Sequence, residues 1–462
     1  MKTRHIGVLA AAIALSLGVA SAAPPSKTTG RMIGVNVVLN QDINDAVLAD
    51  ISRFGKVRDT IYEIDALTMQ AREADLPTIR ALPYVAAANP DAERSGAPID
   101  TVAAEDFMDG LSTWNLDAIN ATDFGFGIRT VEQDGSGVYV AVLDTGLLDS
   151  WRQYFPQERI AEQHGRSFGG GGGEVGNVSS QPNKWEHDQD SHGTHVTSTI
   201  LGYSLRGTPV NGVAPMATVI PVKVLNQNGS GWSSVVARGI VYVGDLKGPG
   251  GPLNNYPVVI NMSLGGSVLD AVEKAAIDYA ISQGVIIVAS AGNSGNRGMG
   301  YPGAYAPVIS VAASGWTGEW TPPGNRSWWW NQDVAEPTSP GDFYITDFSS
   351  REKSGQDLDV AAPGSWVVGP YQVNSGQTSY FFLGGTSMAS PHVAGIVALM
   401  AQKKPSLAQA EAESILEGSA IPLPAGCRDV PQPSGALEET CWGDDATGAG
   451  LTTADAALAA TP

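Results

Sequence analysis

The octet Gly384-Gly385-Thr386-Ser387-Met388-Ala389-Ser390-Pro391 runs directly into a long apolar stretch, and no other segment constrains the chain so strongly. The paired glycines suit a sharp turn, and the apolar stretch reads as a helix that enters the core. Ser387 therefore stands where a buried helix begins. A helix start presents N–H groups without intrahelical partners and a partial positive charge. A serine oxygen held there is surrounded by what a developing oxyanion needs, which makes Ser387 a candidate nucleophile.

A serine hydroxyl is a weak nucleophile at neutral pH and needs a base, and the base needs a group that orients it. Both lie upstream. Val138-Tyr139-Val140-Ala141-Val142-Leu143 reads as a buried strand ending in Asp144-Thr145-Gly146, which puts a carboxylate at the strand's C-terminal end. Asp190-Ser191-His192-Gly193-Thr194-His195 supplies an imidazole. Val285 to Ala289 is a further buried strand, leading through Ser290-Ala291-Gly292 to Asn293, whose amide can donate to an oxyanion.

Asp144, His192, Asn293 and Ser387, in that order and each in its local motif, resemble the subtilisin-like serine proteases. The resemblance extends to Asn261-Met262-Ser263-Leu264-Gly265-Gly266, similar to the family's strand beside the S1 pocket. It also takes in Gly229-Ser230-Gly231, similar to the strand that pairs with substrate, and Gly448-Ala449-Gly450-Leu451 before a last helix. It implies an acyl-enzyme mechanism with Asp144, His192 and Ser387 as the triad, and an oxyanion hole from Asn293 and the Ser387 N–H. It further implies S1 walls from Ser290, Ala291, Gly292 and Leu264-Gly265, with Gly300-Tyr301-Pro302-Gly303 as the pocket floor. Walls of this kind with no charge at the base favour a large apolar residue before the scissile bond. Ser294 stands where many relatives carry an acid.

Each of these residues also suits a plainer structural role. Asp144 and Ser387 also suit helix caps, and His192 and Asn293 suit satisfied buried polar groups. His187 to His195 crowds histidines and aspartates as a metal site does, but the spacing is not HExxH and no further ligand set follows; His195 reads as a core histidine. Gly385-Thr386-Ser387-Met388-Ala389 lacks the last glycine of the lipase elbow, and only His392 follows the serine. A secreted binding protein on an inactive protease scaffold is the reading from another class.

Lys2, Arg4 and His5 precede the apolar run Ile6 to Val19, and Ala20-Ser21-Ala22 offers a cleavage site, so residues 1–22 read as a secretory signal peptide. The run is short of the about 20 apolar residues that span a membrane. The expected product is exported, extracellular or periplasmic. The two cysteines, Cys427 and Cys441, are then expected to pair, two buried thiols being the alternative. A net charge of -20 disfavours nucleic acid and anionic membranes as partners.

The 462 residues divide by motif. Residues 23–110 alternate strand, helix, extended chain, short helix and strand up to Pro90. They resemble the family's inhibitory propeptide, a small α+β ferredoxin-like domain, followed by an acidic linker from Asp91 to Gly110 with the maturation site. Residues 111–462 read as one α/β subtilisin-like catalytic domain, three layers around a mostly parallel sheet. Expected partners are protein or peptide substrates and the chain's own propeptide, with the molecule a monomer. No catalytic cofactor is implied. Structural calcium is common in the family, with Asp149 the one candidate ligand. Gly169 to Gly173 reads as a glycine loop. Gly315 to Asp347 reads as an insertion bearing Trp316, Trp320, Trp328, Trp329 and Trp330, either a substrate-docking surface or an element packed on its own domain.

Overall fold

The computed structural model describes residues 30–103, 113–123, 129–169, 178–320, 333–374, 376 and 378–462. The expected signal peptide, the linker beyond residue 103, most of the glycine loop and Trp328 to Trp330 lie outside the described residues.

The valine- and isoleucine-rich runs become the central parallel strands. Tyr139–Asp144 pairs on one side with Thr218–Lys223 and on the other with Val258–Met262, which continues to Val285–Ser290 and Ile309–Trp316. Such strands are covered on both faces, which is why they read as continuous apolar runs. The two-residue period is still visible in the packing. Val140, Val142, Val259 and Val288 face one core, while Ala141, Leu143, Ile260 and Ile287 face a second core on the opposite side. Helices cover both faces and complete the three-layer α/β arrangement.

Through the first core runs Thr386–Lys403, buried from Thr386 to Ala401, with no polar side chain from Val393 to Ala401. Ser233–Lys247 and Ala271–Ser282 cover the other face. Because the chain passes from the Asp144 strand first to one neighbour and then to the other, the crevice beyond the strands' carboxyl ends opens beside Asp144.

Residues 32–90 form a separate four-stranded antiparallel sheet, with Ala66–Arg72 and Val85–Pro90 flanking Met32–Leu39, over its own small core. The first helix of this unit is Asp45–Ile51, and Asn44 caps it by accepting from Ala46 and Val47. This unit sits on the starts of the two covering helices. Asp91 accepts from the Ser234 N–H at 3.0 Å and the Ser234 hydroxyl at 2.6 Å, serving as an outside cap for Ser233–Lys247. Asn36 donates to Asp270, the N-cap of Ala271–Ser282, at 2.8 Å.

The two cysteines are joined across the hairpin formed by Gly426–Pro431 and Leu437–Trp442. Trp316 stacks on Trp114, and Trp320 meets Trp366 and Phe382 edge-on. The described tryptophans of the insertion thus pack onto their own domain. Among the described residues, no helix is long and apolar enough to cross a membrane.

Candidate active site

Asp144 is the last residue of its strand, and its Oδ1 accepts from the Thr145 N–H at 2.6 Å. His192 is the first residue of the helix His192–Leu201, entered from Ser191 at φ 75°. The helix start can press against the strand end only because Gly193 has no Cβ, which would lie 2.4 Å from the Gly146 carbonyl oxygen. This seats His192 Nδ1 at 2.9 and 3.0 Å from the two Asp144 oxygens. Both side chains are fully buried. The Nδ1–H donates to the carboxylate, so Nε2 carries the lone pair, and Nε2 has no hydrogen-bond partner. Burial alone lowers the imidazole pKa, but the charges of Asp144, Asp190 and Asp188 outweigh it and hold His192 above its ordinary value.

Ser387 lies in the first turn of its helix, after Gly385. Its hydroxyl donates to the Ser263 carbonyl at 3.2 Å, while the Ser263 hydroxyl donates to the Ser387 carbonyl at 2.8 Å. His192 and this pair flank a single point, where a Cβ on Gly96 would be: 3.2 Å from His192 Cε1 and 2.7 Å from the Ser263 carbonyl oxygen. Asn293 is fixed at its carbonyl end, which accepts from the Thr386 N–H at 2.9 Å and the Thr386 hydroxyl at 2.8 Å. The orphan N–H groups of the helix start and the amide of Asn293 thus border one cavity of about 490 Å³, with Ser387 at its edge.

Leu264, Gly265, Ser290, Gly292 and Gly300 line that cavity as the motifs imply. Ala291 does not: it follows the strand's alternation into the core. The exposed Arg297 also lines the cavity, together with Gln356 and Met299. These three come from turns without a motif, so nothing in the sequence tied them to the serine.

Gly229, Ser230 and Gly231 do not wall the cavity; they hold chain in it. Glu93–Ser95 pairs antiparallel with Ser230–Trp232, and Ser95 exchanges both main-chain bonds with Gly265 at 3.0 and 2.9 Å. The residues after Pro90, the start of the expected acidic linker, run as a strand between the two edges of the cleft. Arg94 is fully buried in a pair with Glu273.

His195 is buried and donates Nε2–H to the Val367 carbonyl at 3.1 Å; burial pulls its pKa down to about 3, so it is neutral. His392 likewise donates from Nδ1 to the Met388 carbonyl at 2.8 Å and accepts from Asn115 at Nε2. Among the described residues, Asp149 joins no group of carboxylates close enough to share an ion. Among the described residues such groups are Asp117, Asp123 and Asp333, and Asp357, Asp359 and Glu413.

The Subtilase family model matches residues 135–451, which contain the strand ends, helix starts and cavity described above. The chain belongs to the Subtilase family. Members of this family are serine endopeptidases. The thermostable alkaline protease of Halalkalibacterium halodurans is 35% identical over 272 residues, 59% of each chain. Thermitase of Thermoactinomyces vulgaris is 32% identical over 270 residues, 58% of this chain and 77% of its own. Fervidolysin from Fervidobacterium pennivorans, a keratinolytic enzyme related to subtilisin, shares the fold at a TM-score of 0.64 and 24% identity, over 93% of this chain and 61% of its own. The alkaline protease and fervidolysin are therefore matched over less than two thirds of their length.

Proposed function

We propose that this subtilase is an exported serine endopeptidase that cuts protein and peptide substrates through an acyl-enzyme on Ser387. The observation that carries the reading is the fully buried Asp144–His192 pair with an unpartnered Nε2, whose ring flanks the same point beside Gly96 as the Ser263 carbonyl that the Ser387 hydroxyl donates to. The Ser387 hydroxyl turns from Ser263 to Nε2 and attacks a peptide carbonyl. His192 takes its proton and returns it to the leaving amine. Asp144 fixes the tautomer and stabilises the imidazolium, and the Asn293 amide with the Ser387 N–H receives the oxyanion. Ser387→Ala should abolish peptide turnover in the folded, processed protein. Turnover near the wild-type level would refute the assignment.

Residues 23–110 are, on this reading, the propeptide that templates and inhibits the catalytic domain of residues 111–462. The caps that Asp91 and Asn36 supply to the covering helices support it, as does chain lying in the cleft. The Ser387→Ala precursor should then remain at full length in a host without other extracellular proteases. The two carboxylate groups suit calcium: each contains a buried aspartate oxygen, Asp117 Oδ1 or Asp359 Oδ1, with no hydrogen-bond partner. Such an ion would stabilise the fold and take no part in the chemistry.

A further inference from the structure

We propose that the linker crosses the active centre in the direction of a substrate with the Ala97–Pro98 bond above Ser387. Pro98 keeps that bond uncut, so that removal of residues 23–110 begins with a cut made by a second molecule. This rests on the reading of Ser387 as the nucleophile.

The register is set on both sides of the serine. Upstream, Ser95 is bound to Gly265, and the Gly96 N–H donates to the Gly229 carbonyl at 2.9 Å beside the His192 ring. Downstream, the Ile99 N–H donates to the Gly384 carbonyl at 2.7 Å, three positions before Ser387 in the chain. Between these anchors lie only Ala97 and Pro98, and both line the cavity with Ser387 and Asn293. The chain does not leave the cleft there. Asp100–Ala103 goes on to pair antiparallel with Tyr380–Gly384. The linker is therefore held on the side of the leaving amine as well as on the acyl side.

Cutting this bond in place would join Ser387 Oγ to the Ala97 carbonyl carbon and break the bond to the Pro98 nitrogen. The serine proton would pass through His192 to that nitrogen. In an ordinary residue the leaving nitrogen carries a hydrogen and can turn its lone pair to the imidazole by a small movement. In Pro98 the nitrogen is locked in the ring, with φ fixed and no N–H, so the ring must swing with it while Ile99 stays bonded to Gly384. The paired strand that follows also holds the freed amine against the ester, which favours resealing. While both anchors hold, every other bond from Asp91 to Ala103 is out of reach of the molecule's own serine, and the first cut falls to another copy.

The test is conversion of the purified full-length precursor at several protein concentrations, with N-terminal sequencing of each product. For wild type, the fraction converted per unit time should rise in proportion to concentration, and no product should begin at Pro98. The Ser387→Ala precursor should be cut at the same bond when processed wild-type enzyme is added. Pro98→Ala, checked by its melting temperature to be folded, should convert at a rate independent of concentration and yield a product beginning at residue 98. Wild-type conversion independent of concentration, a product beginning at Pro98, or Pro98→Ala behaving as wild type would each overturn the proposal. Failure of the underlying reading is separately visible, because processed protein would then leave an unrelated peptide uncut.

Discussion

At the scale of single residues, the account turns on two side chains whose partners fix their roles. Asn293 has its carbonyl end bound to Thr386, so its amide end is oriented before any substrate arrives. Asn293→Ala should lower kcat by 10²- to 10³-fold, about 2.7–4 kcal/mol, with KM little changed. That figure is subtilisin's own and is transferred to this chain. His192 must be neutral to act, and its pKa is held above the ordinary value, so activity should fall as pH drops through that raised value. Asp190 is one of the charges responsible, and Asp190→Asn keeps an oxygen for the His192 N–H at 3.3 Å. The acid limb of kcat/KM against pH, measured on a short peptide, should therefore move to lower pH in this variant. An unmoved limb would remove Asp190 from the electrostatics of the base.

At the scale of elements, buried carboxyl groups determine how the structure responds to pH. Glu319, on the insertion, is fully enclosed, and burial raises its pKa to about 8 although Trp316, Ser365 and Tyr344 all donate to it. The folded form thus keeps a proton that the unfolded chain releases near pH 4.5. Stability contributed by this group is complete below that point and is lost as pH rises toward 8. Across that window the loss should be on the order of a few kcal/mol. Melting temperatures from pH 5 to 9 should decline less steeply in Glu319→Gln. The docking of the N-terminal unit can be tested in the same way. In the uncut Ser387→Ala background, Asp91→Ala removes an outside cap of Ser233–Lys247 and should cost the precursor about 0.5–2 kcal/mol in denaturant unfolding. An unchanged midpoint would mean that this cap contributes nothing.

At the scale of the whole molecule, what was legible in the sequence follows from how local each signal is. Asp144 and Asn293 could be read because a buried parallel strand is a continuous apolar run, and a polar residue just beyond it stands at the crevice. Ser387 could be read because the helix it begins runs on through an apolar stretch from Val393 to Ala401. Arg297 and Gln356 could not, since turns distant in the chain bring them to the cavity. The path of the linker was equally hidden, because strand pairing with the cleft edges leaves no periodic trace in three to five residues. The paired carboxylate groups were missed for the same reason: Asp117 and Asp333 are far apart in the chain and meet only in the fold. If calcium occupies the second group, at 100 times its dissociation constant it should add about 2.7 kcal/mol to stability. Chelation should remove that gain in wild type, and Asp359→Asn should lose less on chelation by the same amount.

The central claim is that Ser387 is a nucleophile activated by His192. It is tested most directly by treating the processed protein with an active-site serine reagent and locating the adduct by peptide mass spectrometry. The account predicts one adduct per molecule, on Ser387, formed in parallel with loss of peptide hydrolysis and absent from folded His192→Ala. Hydrolysis that persists with Ser387 unmodified, or a folded processed protein that takes no label at all, would contradict it.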